Sequence, residues 1–112
     1  MVLHRGDIVL IDFNPAKGGE IGKLRPAIVM SDTEENRILH TCIVIPLSTV
    51  IENDALPYRY KISKRGKLQY DSDACIYEIR ALSKSRIKEK LGVLSGKELE
   101  VVSEALCEIL LR

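Results

Sequence analysis

Asp7-Ile8-Val9-Leu10-Ile11-Asp12-Phe13 is the stretch whose reading decides the fold. Its β-branched residues favour extended backbone, and its nearly continuous apolar run predicts a strand buried on both faces. Asn14-Pro15 ends it with a turn signal. The loop Lys17-Gly18-Gly19-Glu20-Ile21-Gly22-Lys23 follows. Its glycines allow flexibility or a close backbone approach to a ligand. Arg25-Pro26 opens a second strand over 27–30, where a proline at the strand start costs no interior ladder bond. Asp32 to Arg37 reads as a polar turn. A third strand over 41–47 ends in the polar step Ser48-Thr49.

Beyond these strands the chain changes character. Residues 55–70 hold Arg59, Lys61, Lys64, Arg65 and Lys67, no acidic residue, and Tyr58, Tyr60 and Tyr70. The alternation over 58–62 predicts an exposed or edge strand, with Lys64-Arg65-Gly66-Lys67 as its turn. Asp71-Ser72-Asp73 reads as a second turn and 74–79 as another strand. Ser95-Gly96-Lys97-Glu98 matches a capping box, flanked by Leu94 and Leu99 as a hydrophobic staple. Leu99, Val102, Leu106, Ile109 and Leu110 then recur at helical spacing, with Glu100, Glu104 and Glu108 on the other face. Five or six strands and one long helix predict a small, mainly β barrel with a helical lid.

Composition narrows the function classes. The 112 residues fit one domain spanning 1–112, and 46% apolar with 29% charged residues is an ordinary globular balance. No apolar run approaches the ~18–20 residues of a membrane span, and Met1-Val2-Leu3-His4-Arg5 lacks a signal-peptide layout. Cys42, Cys75 and Cys107 are odd in number and widely spaced, which argues against a disulfide framework or a zinc site and for a reduced, cytoplasmic setting. His4 and His40 are isolated, and no nucleotide-binding glycine motif or Gly-x-Ser-x-Gly elbow is present, so no metal or other cofactor is expected.

Three features can carry chemistry. The glycine-rich loop is either a solvated hairpin or a cradle for phosphate. In the second case its backbone N–H groups work with Arg25, whose planar guanidinium matches phosphate oxygens. Ser48 and Thr49 are either satisfied turn hydroxyls or donors to a phosphate or a ribose hydroxyl. The basic, tyrosine-bearing stretch over 58–70 is either a protected edge or a groove for single-stranded nucleic acid, with cations on phosphates and tyrosines on unpaired bases. A net charge of +1 fits a local groove rather than a general nucleic-acid coat.

Together these pieces resemble the MazF/PemK family of toxin endoribonucleases. The resemblance lies in Arg5-Gly6-Asp7-Ile8-Val9, Asp12-Phe13-Asn14-Pro15, Gly18-Gly19-Glu20, Arg25-Pro26-Ala27-Ile28-Val29, Ile43-Val44-Ile45-Pro46-Leu47-Ser48 and Ile79-Arg80-Ala81-Leu82 with Arg86. It implies an SH3-like β-barrel of five to seven strands with a C-terminal amphipathic helix, assembled as a two-fold homodimer. It also implies metal-independent cleavage of single-stranded RNA, mostly messenger RNA, held in check by a cognate antitoxin. The family's catalytic arginine falls on Arg25 and the acid of the loop motif on Glu20. The family's threonine falls on Ser48, a departure that keeps the hydroxyl, with Thr49 as the neighbouring candidate. Lys17, Gly19, Lys23, Tyr58, Arg59, Lys61, Arg65 and Arg80 are the expected RNA contacts. The antitoxin is expected to lay an acidic tail over the 58–70 face. Many relatives carry an acidic residue and then Gln where this chain has Tyr77-Glu78, so their cleavage sequences do not transfer. Two rivals stand beside this reading. One is a non-catalytic SH3-like module that binds RNA or a partner. The other is a gyrase poison of the CcdB type, disfavoured by the absence of tryptophan and of a Trp-Gly-Ile ending.

Overall fold

Three central strands bury side chains on both faces, and two hydrophobic cores result. The computed structural model describes residues 1–14 and 23–112; most of the glycine-rich loop, with Lys17, Gly19 and Glu20, lies outside them. The elements are β1 (Asp7–Asn14), β2 (Lys23–Val29), α1 (Thr33–Ile38), β3 (Thr41–Ser48), β4 (Arg59–Ile62), β5 (Ser72–Cys75), β6 (Arg80–Ser83), β7 (Ile87–Val93) and α2 (Gly96–Leu111). Single 3-10 turns lie at Ile76–Glu78 and Lys84–Arg86. The strands pair antiparallel in the order β4-β5-β3-β2-β1-β7, with β6 also on β3. The first half of β3 pairs with β6 and its end, Leu47 and Ser48, pairs with β5. That change of partner along one strand bends the sheet towards a barrel.

The expected two-sided burial of β1 is what the packing shows. Ile8 joins Ile28, Ile45, Leu47, Ile62 and Ile76 in the core beneath α2. Val9, Ile11 and Phe13 join Ala27, Val29, Val44 and Leu82 in the core on the other face. Helix α2 has the full capping box at Ser95 and Glu98, and it buries Val102 and Ala105. Leu110 is exposed, so the apolar stripe runs through Ala105 rather than ending at Leu110.

The strand ladder does not close on itself among the described residues. The turn between β4 and β5 instead lies against β7, where the Lys67 N–H donates to the Leu91 carbonyl at 2.7 Å. Gly66 makes this approach possible. Its φ is +53°, and an added Cβ would stand 2.6 Å from the Leu91 oxygen. Gly66→Ala is therefore expected to cost about 2–3 kcal/mol, from the left-handed backbone plus the displaced hydrogen bond. An unchanged melting curve would show that the turn does not depend on that contact.

Several local expectations are corrected. Residues 33–38 form a helix rather than a polar turn. Its one buried residue, Asn36, donates to the carbonyls of Leu3 and Ser31 and bonds the Ser31 hydroxyl, so no apolar stripe marked it. Ser72 and Asp73 belong to β5 rather than to a turn, and the strand expected over 74–79 gives way to a 3-10 turn after Cys75. Strands β6 and β7 had no clear signal. The buried residues Ile87 and Leu91 of β7 are four apart, because β7 meets β1 with two register shifts. Among the described residues no helix is long and apolar enough to cross a membrane.

Candidate active site

The register of β2 on β3 sets Ala27 opposite Pro46 and Ile28 opposite Ile45. Continued two residues past the last ladder pair, that register would set Arg25 opposite Ser48. Directly opposed residues share a face of the sheet. Arg25 and Ser48 therefore stand together on the face of Ala27, Val29 and Val44. Both are half-buried. Arg25 is opposite Ile11 of β1, which is fully buried. The cation thus rises from a rigid, apolar-backed strand. Among the described residues no carboxylate pairs with it.

The Ser48 hydroxyl oxygen accepts the Val50 N–H at 3.2 Å, which leaves its own hydrogen for another acceptor. Thr49 lies one residue past the strand, on the opposite side. It lines a cavity of about 300 Å3 with Leu10, Pro26, Leu68, Tyr70 and Leu91. The structure thus separates the two hydroxyls by face: Ser48 goes with the guanidinium and Thr49 with the cavity.

Arg80 is opposite Val44 and so shares the face of Arg25. Its guanidinium carbon lies 5.6 Å from the centroid of the Phe13 ring. Arg86 donates to the Phe13 carbonyl at 3.1 Å. Two arginines therefore brace the end of β1. Lys23 is exposed at the start of β2.

The residues expected to form one RNA groove over 58–70 differ in what they engage. Tyr58 is exposed, with Tyr77 edge-on to it at 5.9 Å and Arg112 donating to its hydroxyl. Lys61 pairs loosely with Asp71 at 3.8 Å. Arg59 faces Asp73 and Glu52 and donates to the Val50 carbonyl at 2.9 Å. Burial pulls its guanidinium pKa down, but the anionic groups around it outweigh that and raise it. Arg65 is bonded by both terminal nitrogens to Glu98, and to Ser63 besides. The hydrogen bonds from Arg65 hold the Glu98 carboxyl down at about 2, against the upward push of its burial. Two of the expected RNA cations are thus already neutralised within the chain.

Sequence reasoning missed Asp73, which is 1% exposed and anchors Arg59 and the Glu52 N–H. The only available signal was its place directly before the apolar run Ala74-Cys75-Ile76. Burial raises the Cys42 and Cys75 thiols, so both stay protonated at neutral pH and neither is a poised nucleophile.

The chain matches the family described as "PemK-like, MazF-like toxin of type II toxin-antitoxin system" over residues 4–110. It is 35% identical over 106 residues to Endoribonuclease MazF of Staphylococcus saprophyticus, covering 94% of this chain and 88% of that protein. Among solved structures it is similar to MazE-MazF (Form-II) of Deinococcus radiodurans, with a TM-score of 0.80, 22% identity and coverage of 98% and 96%. It is also similar to a mycobacterial endoribonuclease in complex with its cognate antitoxin, at a TM-score of 0.72, 17% identity and coverage of 97% and 93%. The guanidinium and hydroxyl on one face of β2 and β3 therefore sit in the fold that the sequence resemblance implied, and the chain belongs to the PemK-like, MazF-like toxins of type II toxin–antitoxin systems.

Proposed function

We propose that this chain is an endoribonuclease toxin that cuts single-stranded RNA, messenger RNA included, at short sequences and without a metal. The observation that carries the reading is that Arg25 of β2 and Ser48 of β3 lie on one face of two paired central strands. RNA supplies its own nucleophile. The 2′-oxygen attacks the adjacent phosphorus, the bond to the 5′-oxygen breaks, and the products are a 2′,3′-cyclic phosphate and a 5′-hydroxyl.

The protein then needs to stabilise a dianionic phosphorane and to move two protons. Arg25 supplies fixed positive charge in a fork that fits two phosphate oxygens, and it is the proposed donor of a proton to the leaving 5′-oxygen. Ser48 donates its free hydroxyl hydrogen to a phosphate oxygen. Glu20, in the loop before β2, is the proposed base for the 2′-hydroxyl. Lys17, Gly19, Lys23 and Arg80 are the proposed contacts along the RNA backbone, with Tyr58 as a platform for an unpaired base.

The working unit is a homodimer of single-domain chains in the cytoplasm, inhibited by a cognate antitoxin. With Arg59 and Arg65 engaged internally, an acidic antitoxin tail over 58–70 would meet mainly Lys61, Lys64 and Lys67. The decisive experiment uses purified protein, excess EDTA and a long single-stranded RNA beside the same RNA carrying one 2′-deoxy sugar at a mapped cut. Cutting at discrete sites, with complete loss at the deoxy position, is the expected result. Cutting at the deoxy position would overturn the 2′-hydroxyl mechanism. No cutting of any RNA by a verified dimer would favour the non-catalytic binding module.

A further inference from the structure

A buried carboxylate is costly unless it is paired and hydrogen-bonded, so its presence calls for a physical reason. Asp73 is such a group. It is 1% exposed, and its ladder partners are the polar residues Ser48 of β3 and Lys61 of β4.

What Asp73 holds is the segment that leaves β3. Its backbone is opposite Ser48 in the β3–β5 ladder. Its Oδ2 accepts the Glu52 N–H at 2.8 Å and faces Arg59 Nη1 at 3.5 Å. The same Nη1 donates to the Val50 carbonyl at 2.9 Å, and Arg59 Nε stands 3.7 Å from the Glu52 carboxylate. Residues 50 and 52 are thus held by one acid and one arginine, and residue 48 by its ladder pairing with Asp73. The Val50 N–H, in turn, is the group that orients the Ser48 hydroxyl.

We propose that Asp73 and Arg59 form a clasp that positions Ser48 for the reaction, acting through the 48–52 backbone rather than by touching RNA. The proposal rests on the endoribonuclease reading above. It moves Arg59 from the RNA surface to the support of the site, and it gives a function to a carboxylate that the mechanism does not otherwise use. Misplacement of a reacting group by about 1 Å can cost on the order of a hundredfold in rate, so a clasp of this kind acts on turnover rather than on substrate affinity.

The test compares Asp73→Asn and Arg59→Ala with wild type in two measurements. In steady-state cleavage of single-stranded RNA, both variants are expected to lose roughly tenfold or more in kcat with KM within about twofold. The double variant should lose little more than the worse single one, because the two side chains act as a unit. A phosphate-binding Arg59 would behave differently: Arg59→Ala would raise KM and lower the salt dependence of binding by about one unit of slope. That result would overturn the proposal.

Amide hydrogen exchange, which needs no RNA, should speed up at Val50 and Glu52 in both variants. Unchanged exchange there would also overturn it. If Asp73→Asn fails to fold, Arg59→Ala carries both measurements on a side chain that is only half-buried. A wild type that cuts no RNA fails the endoribonuclease reading itself. A cutting wild type with unaffected variants fails the clasp alone.

Discussion

Arg25→Ala is expected to lower kcat for RNA cleavage by roughly 10²–10³-fold, the usual cost of removing one charged or hydrogen-bonding contact to a transition-state oxyanion. The loss should fall on kcat more than on KM, because the guanidinium matches the phosphorane's two negative charges better than the single charge of the ground-state phosphodiester. Arg25 is half-buried at the end of a strand whose next residues, Ala27 to Val29, are fully buried, so removing its side chain opens no cavity in either core. The melting temperature should hold while activity collapses. Arg25→Lys should recover only part of the rate, since an ammonium keeps the charge and loses the two-pronged fork. Ser48→Ala should also lower kcat, by less, and Thr49→Ala should leave it nearly unchanged. The last contrast follows from the opposite faces on which the two hydroxyls stand. A loss of less than tenfold in Arg25→Ala would remove Arg25 from the chemistry.

Much of the architecture was legible because its signals are local. The run from Asp7 to Phe13 announced a strand with no wet face, and the cores on both sides of β1 are what such a run requires. The capping box at Ser95 and Glu98 fixed where α2 begins. Arg25 and Ser48 were legible as separate pieces, Arg25 beside a proline at a strand start and Ser48 at a strand end. That they share one face of paired strands is a matter of register, which no single segment encodes. What stayed hidden depends on partners distant in sequence. Lys88, Glu89 and Lys90 make β7 look unlike a strand until its bulged pairing with β1 is known. Asp73 looks like a turn acid until Arg59 and Glu52 come round to it. Arg59 and Arg65 look like an RNA surface because charge in a sequence carries no sign of whether a carboxylate will neutralise it.

The pairing of Arg65 with Glu98 leads to an expected effect on stability as large as that of Gly66→Ala. Arg65 belongs to the turn that lies on β7, and Glu98 belongs to the first turn of α2, so the pair ties the end of the sheet to the helix that covers the core. The geometry is two-pronged, with Arg65 Nη2 at 2.7 Å from Glu98 Oε2, and the side chains are only 23% and 18% exposed, so water screens the pair incompletely. The Glu98 carboxyl is held at about 2, below its ordinary 4.5. A depressed acid adds stability that is complete above its unfolded value and is lost as pH falls towards the folded one. The contribution is therefore full above about pH 5, declines by up to about 1.4 kcal/mol per pH unit below that, and is gone near pH 2.

Glu98→Gln keeps an acceptor for the Ser95 N–H, so the helix cap survives and the variant isolates the ion pair. At pH 7 it should cost about 2–3 kcal/mol, a drop of roughly 10 °C in melting temperature at fixed protein concentration. Wild type and variant should converge as pH is lowered, because acid removes from wild type what the substitution has already removed. Arg65→Met should reproduce the loss, and the double variant should fall well short of the sum. Parallel curves for wild type and Glu98→Gln from pH 7 to pH 3 would mean that the bonded pair contributes nothing net. The junction of sheet and helix would then rest on its apolar contacts, among them Leu94 and Val102.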